Sequence, residues 1–215
     1  MITMDCLEKI VTQQCAFDDR LTAFSSVLLN TKITTQEQVM LQTQHGFQII
    51  LGCLVRAHDF GGTIYIIGNG GSAAIASHAS IDFINMCSMR ATALLDPAVT
   101  TCISNDYGYD QIYVKQLETF LHNKDILIAI SSSGKSKSII NAVEIAKNRK
   151  ATVITLSGFS EENPLRQLGD YNLWLNSIDY GQVEIGHAFL LHYITDYLRD
   201  CVHSKNEQCC VEEMV

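Results

Sequence analysis

Proline is almost missing from this chain, with 2 in 215 residues, and the 13 glycines follow no period. That excludes collagen-like and Pro-rich linker architectures. An excess of positive charge is missing too: 15 Lys plus Arg stand against 23 Asp plus Glu, a formal net charge of -8. A general nucleic-acid or anionic-membrane binder needs a basic face, so neither partner class is expected. No apolar run approaches the ~18 residues of a membrane span. The opening MITMDCLEKIV has no basic stretch followed by a long apolar run, so it does not read as a secretory signal. The eight cysteines (Cys6, Cys15, Cys53, Cys87, Cys102, Cys201, Cys209 and Cys210) contain no C-x-x-C. Most sit among apolar residues, as reduced buried thiols do, and a cytoplasmic location is expected.

What is present is apolar and ordered. Hydrophobic residues make up 47% and charged residues 18%, which excludes a disordered chain. A chain of this length buries roughly 70% of its unfolded surface, so it needs no disulfide staples. Residues 1–60 show helical spacing: Leu7, Ile10 and Val11, then Leu21, Phe24, Val27 and Leu28. Thr31–Thr35 reads as a polar break, followed by a second helix over about 35–59. These N-terminal helices read as a packing element for another subunit or as a layer on the same core.

From residue 61 the pattern changes. Five short apolar runs read as strands: Thr63–Ile67, Ala91–Leu95, Ile126–Ile130, Thr152–Leu156 and Tyr171–Leu175. Helical stretches separate them, and Gln182 to about Val202 reads as a closing helix. Continuous apolar strands alternating with helices predict an α/β fold, a doubly wound five-stranded parallel sheet. The expected organisation is therefore N-terminal helices over 1–60, an α/β domain over 61–203 and a flexible tail over 204–215. Ligands of such sheets sit at the carboxyl ends of the strands.

Two Gly/Ser-rich turns lie at those ends. The first is IIGNGGSAA, where glycines permit close backbone approach and Ser72 opens the next helix. Free N–H groups and the helix dipole favour an anion there. Neither G-x-G-x-x-G nor G-x-x-x-x-G-K-[ST] is present, so a dinucleotide or P-loop site is not indicated. The second is ISSSGKS, which crowds Ser131, Ser132, Ser133 and Ser136 onto one strand–helix joint. Hydroxyls can encircle a phosphate without a full counter-charge, and Lys135 could add one.

GNGGS followed by a helix carrying His78, then ISSSGKS, resembles the SIS (sugar isomerase) domain. The match is closer to its phosphoheptose isomerase branch, on the added strength of Asp96 and the run SNDYGYDQIYVKQLE over 104–118. The resemblance spans roughly 35–203. It implies a sugar phosphate held by Ser72, Ser131, Ser133 and Ser136, with Asn69, Gly70 and Ser132 around the sugar and Asp96 lining the site. It further implies a homotetramer built on the N-terminal helices, with sites between subunits.

His78 and Asp82 are four residues apart, which puts them one turn apart on one helix face. On the closing helix, Glu184 and His187 lie about 60° apart, and Glu184 and His192 about 80° apart and about 12 Å along the axis. Geometry alone favours the Glu184–His187 pair; the resemblance points instead to Glu184 and His192. It implies a zinc or other divalent metal held by His78, Asp82, Glu184 and His192, with Asp82 and His192 as the acid–base pair of an aldose–ketose isomerase, most simply acting on sedoheptulose 7-phosphate. The chain departs from the branch: Asp82 stands for Glu, Glu184 for Gln, Gly181 for Asp, and Ile84-Asn85-Met86 for G-R-Y. These departures keep a second reading in play, a non-catalytic SIS module that binds a sugar phosphate or a protein partner, as a replication-initiation adaptor does.

Overall fold

The computed structural model describes residues 17–212, with side chains described through residue 200. The expected helical spacing at Leu7, Ile10 and Val11, and Cys6 and Cys15, lie outside the described residues. So do the side chains of Cys201, Cys209 and Cys210.

The elements run α1 (Phe17–Leu29), β1 (Lys32–Thr35), β2 (Met40–Leu41), α2 (Thr43–Asp59), β3 (Ile64–Gly68), α3 (Gly71–Asn85), β4 (Ala91–Ala93) and α4 (Pro97–Tyr107). They continue with α5 (Val114–Phe120), β5 (Ile126–Ser131), α6 (Lys137–Asn148), β6 (Thr152–Ser157), β7 (Tyr171–Trp174) and α7 (Tyr180–Glu212). The strands form one sheet in the order β2-β1-β7-β6-β5-β3-β4. The five expected strands are there and run parallel, in register from Ile64 opposite Ile126 to Ile126 opposite Thr152.

Side chains alternate across this sheet, as strand geometry requires. Ile66, Ile128 and Leu156 face one core with Phe47, Leu54, Phe83 and Leu191. Tyr65, Ile67, Leu127 and Val153 face the other with Leu117, Ile139 and Val143. With β3 and β5 buried along their whole length, both faces are covered, which explains why these strands read as unbroken apolar runs.

The N-terminal region corrects the expectation of two helices before any strand. Thr31–Thr35 is mostly strand, not a polar break. β1 pairs antiparallel with β7, setting Ile33 opposite Leu173, and β2 folds back on β1. The second helix therefore starts at Thr43, capped by the Gln42 side chain accepting from His45 N, rather than near residue 35. The physical reason is the exposed edge of β7: pairing it satisfies its backbone groups, and Ile33 is wholly buried in exchange. At the other end, α7 runs to Glu212, past the expected end near Val202 and through most of the segment read as tail.

Candidate active site

Both Gly/Ser turns lie at carboxyl ends of parallel strands, and each is held by close packing. At the first, a side chain on Gly68 would meet the Ser72 backbone at 2.5 Å, and Gly70 adopts φ 56°, ψ -124°, a conformation open to glycine. At the second, Gly134 has φ +63° and leaves no room beside Asn163. Asn163 is fully buried: its amide donates to Ser157 Oγ, Gly158 O and Ser160 O, and its Oδ1 accepts from Arg166 N.

Between the turns lies a cleft of about 270 Å³ lined by Asn69, Gly70, Ser72, Ser131, Ser132, Ser133 and Ser136, together with Tyr180 and Glu184. Ser131 Oγ donates to Ser136 Oγ at 3.3 Å. Ser132 Oγ is buried and has no hydrogen-bond partner within the protein, which leaves it available to a ligand or water in the cleft. No Lys or Arg lines the cleft, and Lys135 is exposed outside it. Its anion-attracting groups are hydroxyls and the N-termini of α3 and α6.

A second cleft of about 260 Å³ opens between α3 and α7, lined by His78, Asp82 and His192 with Ala74, Ile75, Ala79, Ala188 and Leu191. Asp82 Oδ2 lies 3.5 Å from His78 Nε2 and 3.3 Å from His192 Nδ1. The Asp82 side chain is 14% exposed, whereas His78 and His192 are 64% and 46% exposed. Four ligands around a tetrahedral zinc at about 2.05 Å stand about 3.3 Å apart. The ligand atoms of the three residues all lie within 4.8 Å of one another, so the donor set fits a divalent ion.

Glu184 is not in this trio. It lines the serine cleft, its carboxylate resting against Gly71 at the start of α3. The Glu184–His187 pairing favoured by local geometry is absent as well. His187 is wholly buried, with Nε2 3.2 Å from Ser157 O, and burial pushes its imidazole down to about 4. Asp96 caps α4 by accepting from Val99 N and does not line either cleft. Asn69 lines the serine cleft, but its amide is engaged by protein: Oδ1 accepts from Tyr109 and lies 3.1 Å from the Tyr113 hydroxyl, and Nδ2 donates to Ser138. Tyr180 and Asn163 carried no sequence signal, and Tyr113 falls in the 104–118 run without a role assigned to it; each reaches the turns only through the tertiary fold.

Glu184, Ala188 and His192 follow one another at single turns of α7, opposite Gly71, Ile75, His78 and Asp82 on α3. The two clefts thus lie along the same pair of helices and share no lining residue. A sequence model of the SIS domain matches residues 28–158. A phosphoheptose isomerase of Thermodesulfovibrio yellowstonii is 31% identical over 174 residues, spanning 78% of this chain and 86% of the relative. The chain belongs to the SIS-domain family, in its phosphoheptose isomerase branch. A Colwellia psychrerythraea phosphoheptose isomerase is 30% identical over 178 residues, 79% of this chain and 89% of that one. The solved phosphoheptose isomerase of Neisseria gonorrhoeae superposes with a TM-score of 0.72 at 26% identity, covering 86% of this chain and all of that one. Placed in this branch, the chain is an aldose–ketose isomerase, and its serine turns and His/Asp cluster are the parts of the fold where such chemistry can be staged.

Proposed function

We propose that the protein interconverts sedoheptulose 7-phosphate and D-glycero-D-manno-heptose 7-phosphate. One observation carries this reading. The buried, unpartnered Ser132 hydroxyl lies in a cleft of serines that Glu184 of α7 also lines, and an imidazole–carboxylate pair stands at His192, about 12 Å further along that helix. A long sugar phosphate can reach from one to the other, its phosphate among the serines and its carbonyl end beside Asp82 and His192.

Ser72, Ser131, Ser133 and Ser136 bind the phosphate with the backbone N–H groups that open α3 and α6, and the free Ser132 hydroxyl bonds the sugar phosphate beside them. This answers the puzzle of an acidic chain taking an acidic substrate: the attraction is local, not set by the net charge of -8. The binding energy gained there positions the reacting carbons. Of Asp82 and His192, one removes the proton next to the carbonyl and the other protonates the carbonyl oxygen; the enediol is then reprotonated on the neighbouring carbon. His78, Asp82 and His192 would hold a zinc or similar divalent ion when one is bound. A bound divalent ion supplies Lewis-acid polarisation of sugar oxygens. The shorter Asp82, in place of the branch's Glu, sets this carboxylate one methylene further back toward α3.

A homotetramer completes the proposal. His78 and His192 are too exposed in one chain to work away from water. Ile81 and Ile84 on α3 and Ile185 and Phe189 on α7, each 48–61% exposed, offer an apolar surface on the helices that carry the site. Among the described residues no helix is long and apolar enough to cross a membrane. Cys53, Cys87 and Cys102 are free thiols, in keeping with a cytoplasmic protein.

The test is incubation with sedoheptulose 7-phosphate, with and without Zn²⁺, and detection of the aldoheptose phosphate. Turnover is expected; its absence under both conditions overturns the assignment.

A further inference from the structure

The first Gly/Ser turn carries an unusual conformation, and something outside it must hold it. Gly70 lies in a region that only glycine occupies readily, and Gly68 is pressed against the Ser72 backbone. Backbone of this kind persists where the surroundings over-determine it. Here the surroundings converge on one side chain. Tyr113, just before α5, is 2% exposed, its ring packed in the core beneath β3 and β5. Its hydroxyl donates to Gly68 O at 2.5 Å and lies 3.1 Å from Asn69 Oδ1. Tyr109 donates to the same Oδ1 at 3.2 Å from an exposed position. Asn69 Nδ2 then donates to Ser138 Oγ at 2.9 Å, and Ser138 is a buried residue in the first turn of α6. Tyr113 thus ties the second core to the Gly68 carbonyl, and the next residue, Asn69, ties the same turn to the helix that follows the serine turn.

We infer that Tyr113 is a positioning residue: its hydroxyl, acting through Gly68 O and Asn69, fixes the spacing of the two phosphate-binding turns. It touches no substrate. Burial pushes the phenol well above the usual tyrosine range, so the hydroxyl keeps its proton and stays a donor. The inference rests on the serine cleft being the phosphate site, and its consequence falls on binding rather than on the proton transfers at Asp82 and His192.

The experiment compares wild type with Tyr113→Phe, which keeps the ring and its packing. The expected result is a KM for sedoheptulose 7-phosphate raised about tenfold, as loss of one buried hydrogen bond of ordinary strength gives, with kcat changed by less than about threefold. Leu121→Ala serves as a control. Leu121 is wholly buried in the same core, at the far end of α5; its loss is expected to lower Tm and leave KM unchanged. An unchanged KM in Tyr113→Phe, or a KM raised equally in both variants, overturns the inference. Calorimetric titration with inorganic phosphate reads the same point without turnover. A tenfold weaker association in Tyr113→Phe supports the positioning role even if sedoheptulose 7-phosphate is not the substrate. Equal affinities, or no binding by wild type, reject it.

Discussion

His187 makes the stability of this fold depend on pH in a way that can be worked out beforehand. The ring is wholly buried, Nε2 lies 3.2 Å from Ser157 O, and Nδ1 has no partner. Because a carbonyl can only accept, Nε2 carries the hydrogen of the neutral ring and Nδ1 stands bare. A second proton would have to enter on Nδ1, facing no acceptor. Desolvation accordingly lowers the imidazole from 6.5 to about 4, with the Ser157 carbonyl opposing the shift in part. The unfolded chain takes up its proton near the ordinary value, while the folded chain resists until about 4. The stabilisation is therefore complete above about pH 6.5 and is lost as pH falls toward 4. Between about pH 7.5 and about pH 5 the unfolded state gains one proton that the folded state does not. At about 1.4 kcal/mol per unit this costs about 2 kcal/mol. The assay is urea unfolding at both pH values and one protein concentration, for wild type and His187→Gln. The glutamine amide can donate to Ser157 O but does not titrate. Wild type is expected to lose about 2 kcal/mol more than the variant over this interval. Carboxylate titrations are common to both proteins and cancel in the comparison. Parallel pH profiles would refute the reasoning.

Three further substitutions probe the site. Ser132→Ala removes a buried hydroxyl that has no partner in the free protein; KM is expected to rise about tenfold while Tm holds or increases, because no hydrogen bond of the free fold is lost. Gly134→Ala forces a side chain into a φ of +63° and onto Asn163 Oδ1; a loss of more than about 3 kcal/mol is expected in thermal or chemical unfolding, and a melt matching wild type would show that the turn is free to relax. Asp82→Asn removes the carboxylate shared by His78 and His192; kcat is expected to fall about 10²-fold or more, together with bound zinc measured by elemental analysis, and retained turnover would exclude Asp82 from the proton transfers.

Much of the fold could be read from the chain, and the exceptions share a cause. The parallel strands announce themselves because burial on both faces makes every residue of Ile64–Gly68 and Ile126–Ser131 apolar or small. The turns announce themselves because only Gly and Ser suit a tight strand–helix joint beside an anion. Lys32–Thr35 announces nothing: four residues, mostly polar, become a strand only because β7 offers an unpaired edge 138 residues from Thr34 to Asn172 along the chain. Asp96 has the composition of a site residue, yet the local pull of a helix N-terminus claims it as a cap. Glu184 matched a ligand position, but its carboxylate settles over Gly71, where the absent side chain leaves space.

The sequence by itself determined the class of the fold, the location of the two serine turns, the one-turn spacing of His78 and Asp82, and the family. These are properties of short segments, and short-range sterics and periodicity write them directly into residue choice. Only the tertiary structure decided that Glu184 stands apart from the His78, Asp82 and His192 with which the resemblance had grouped it, that His187 is sealed beneath Ser157, and that Tyr113 reaches Gly68 across 45 residues of chain. Those outcomes depend on how α3, α5 and α7 pack on the sheet, and helix packing sets distances that no spacing along the chain encodes.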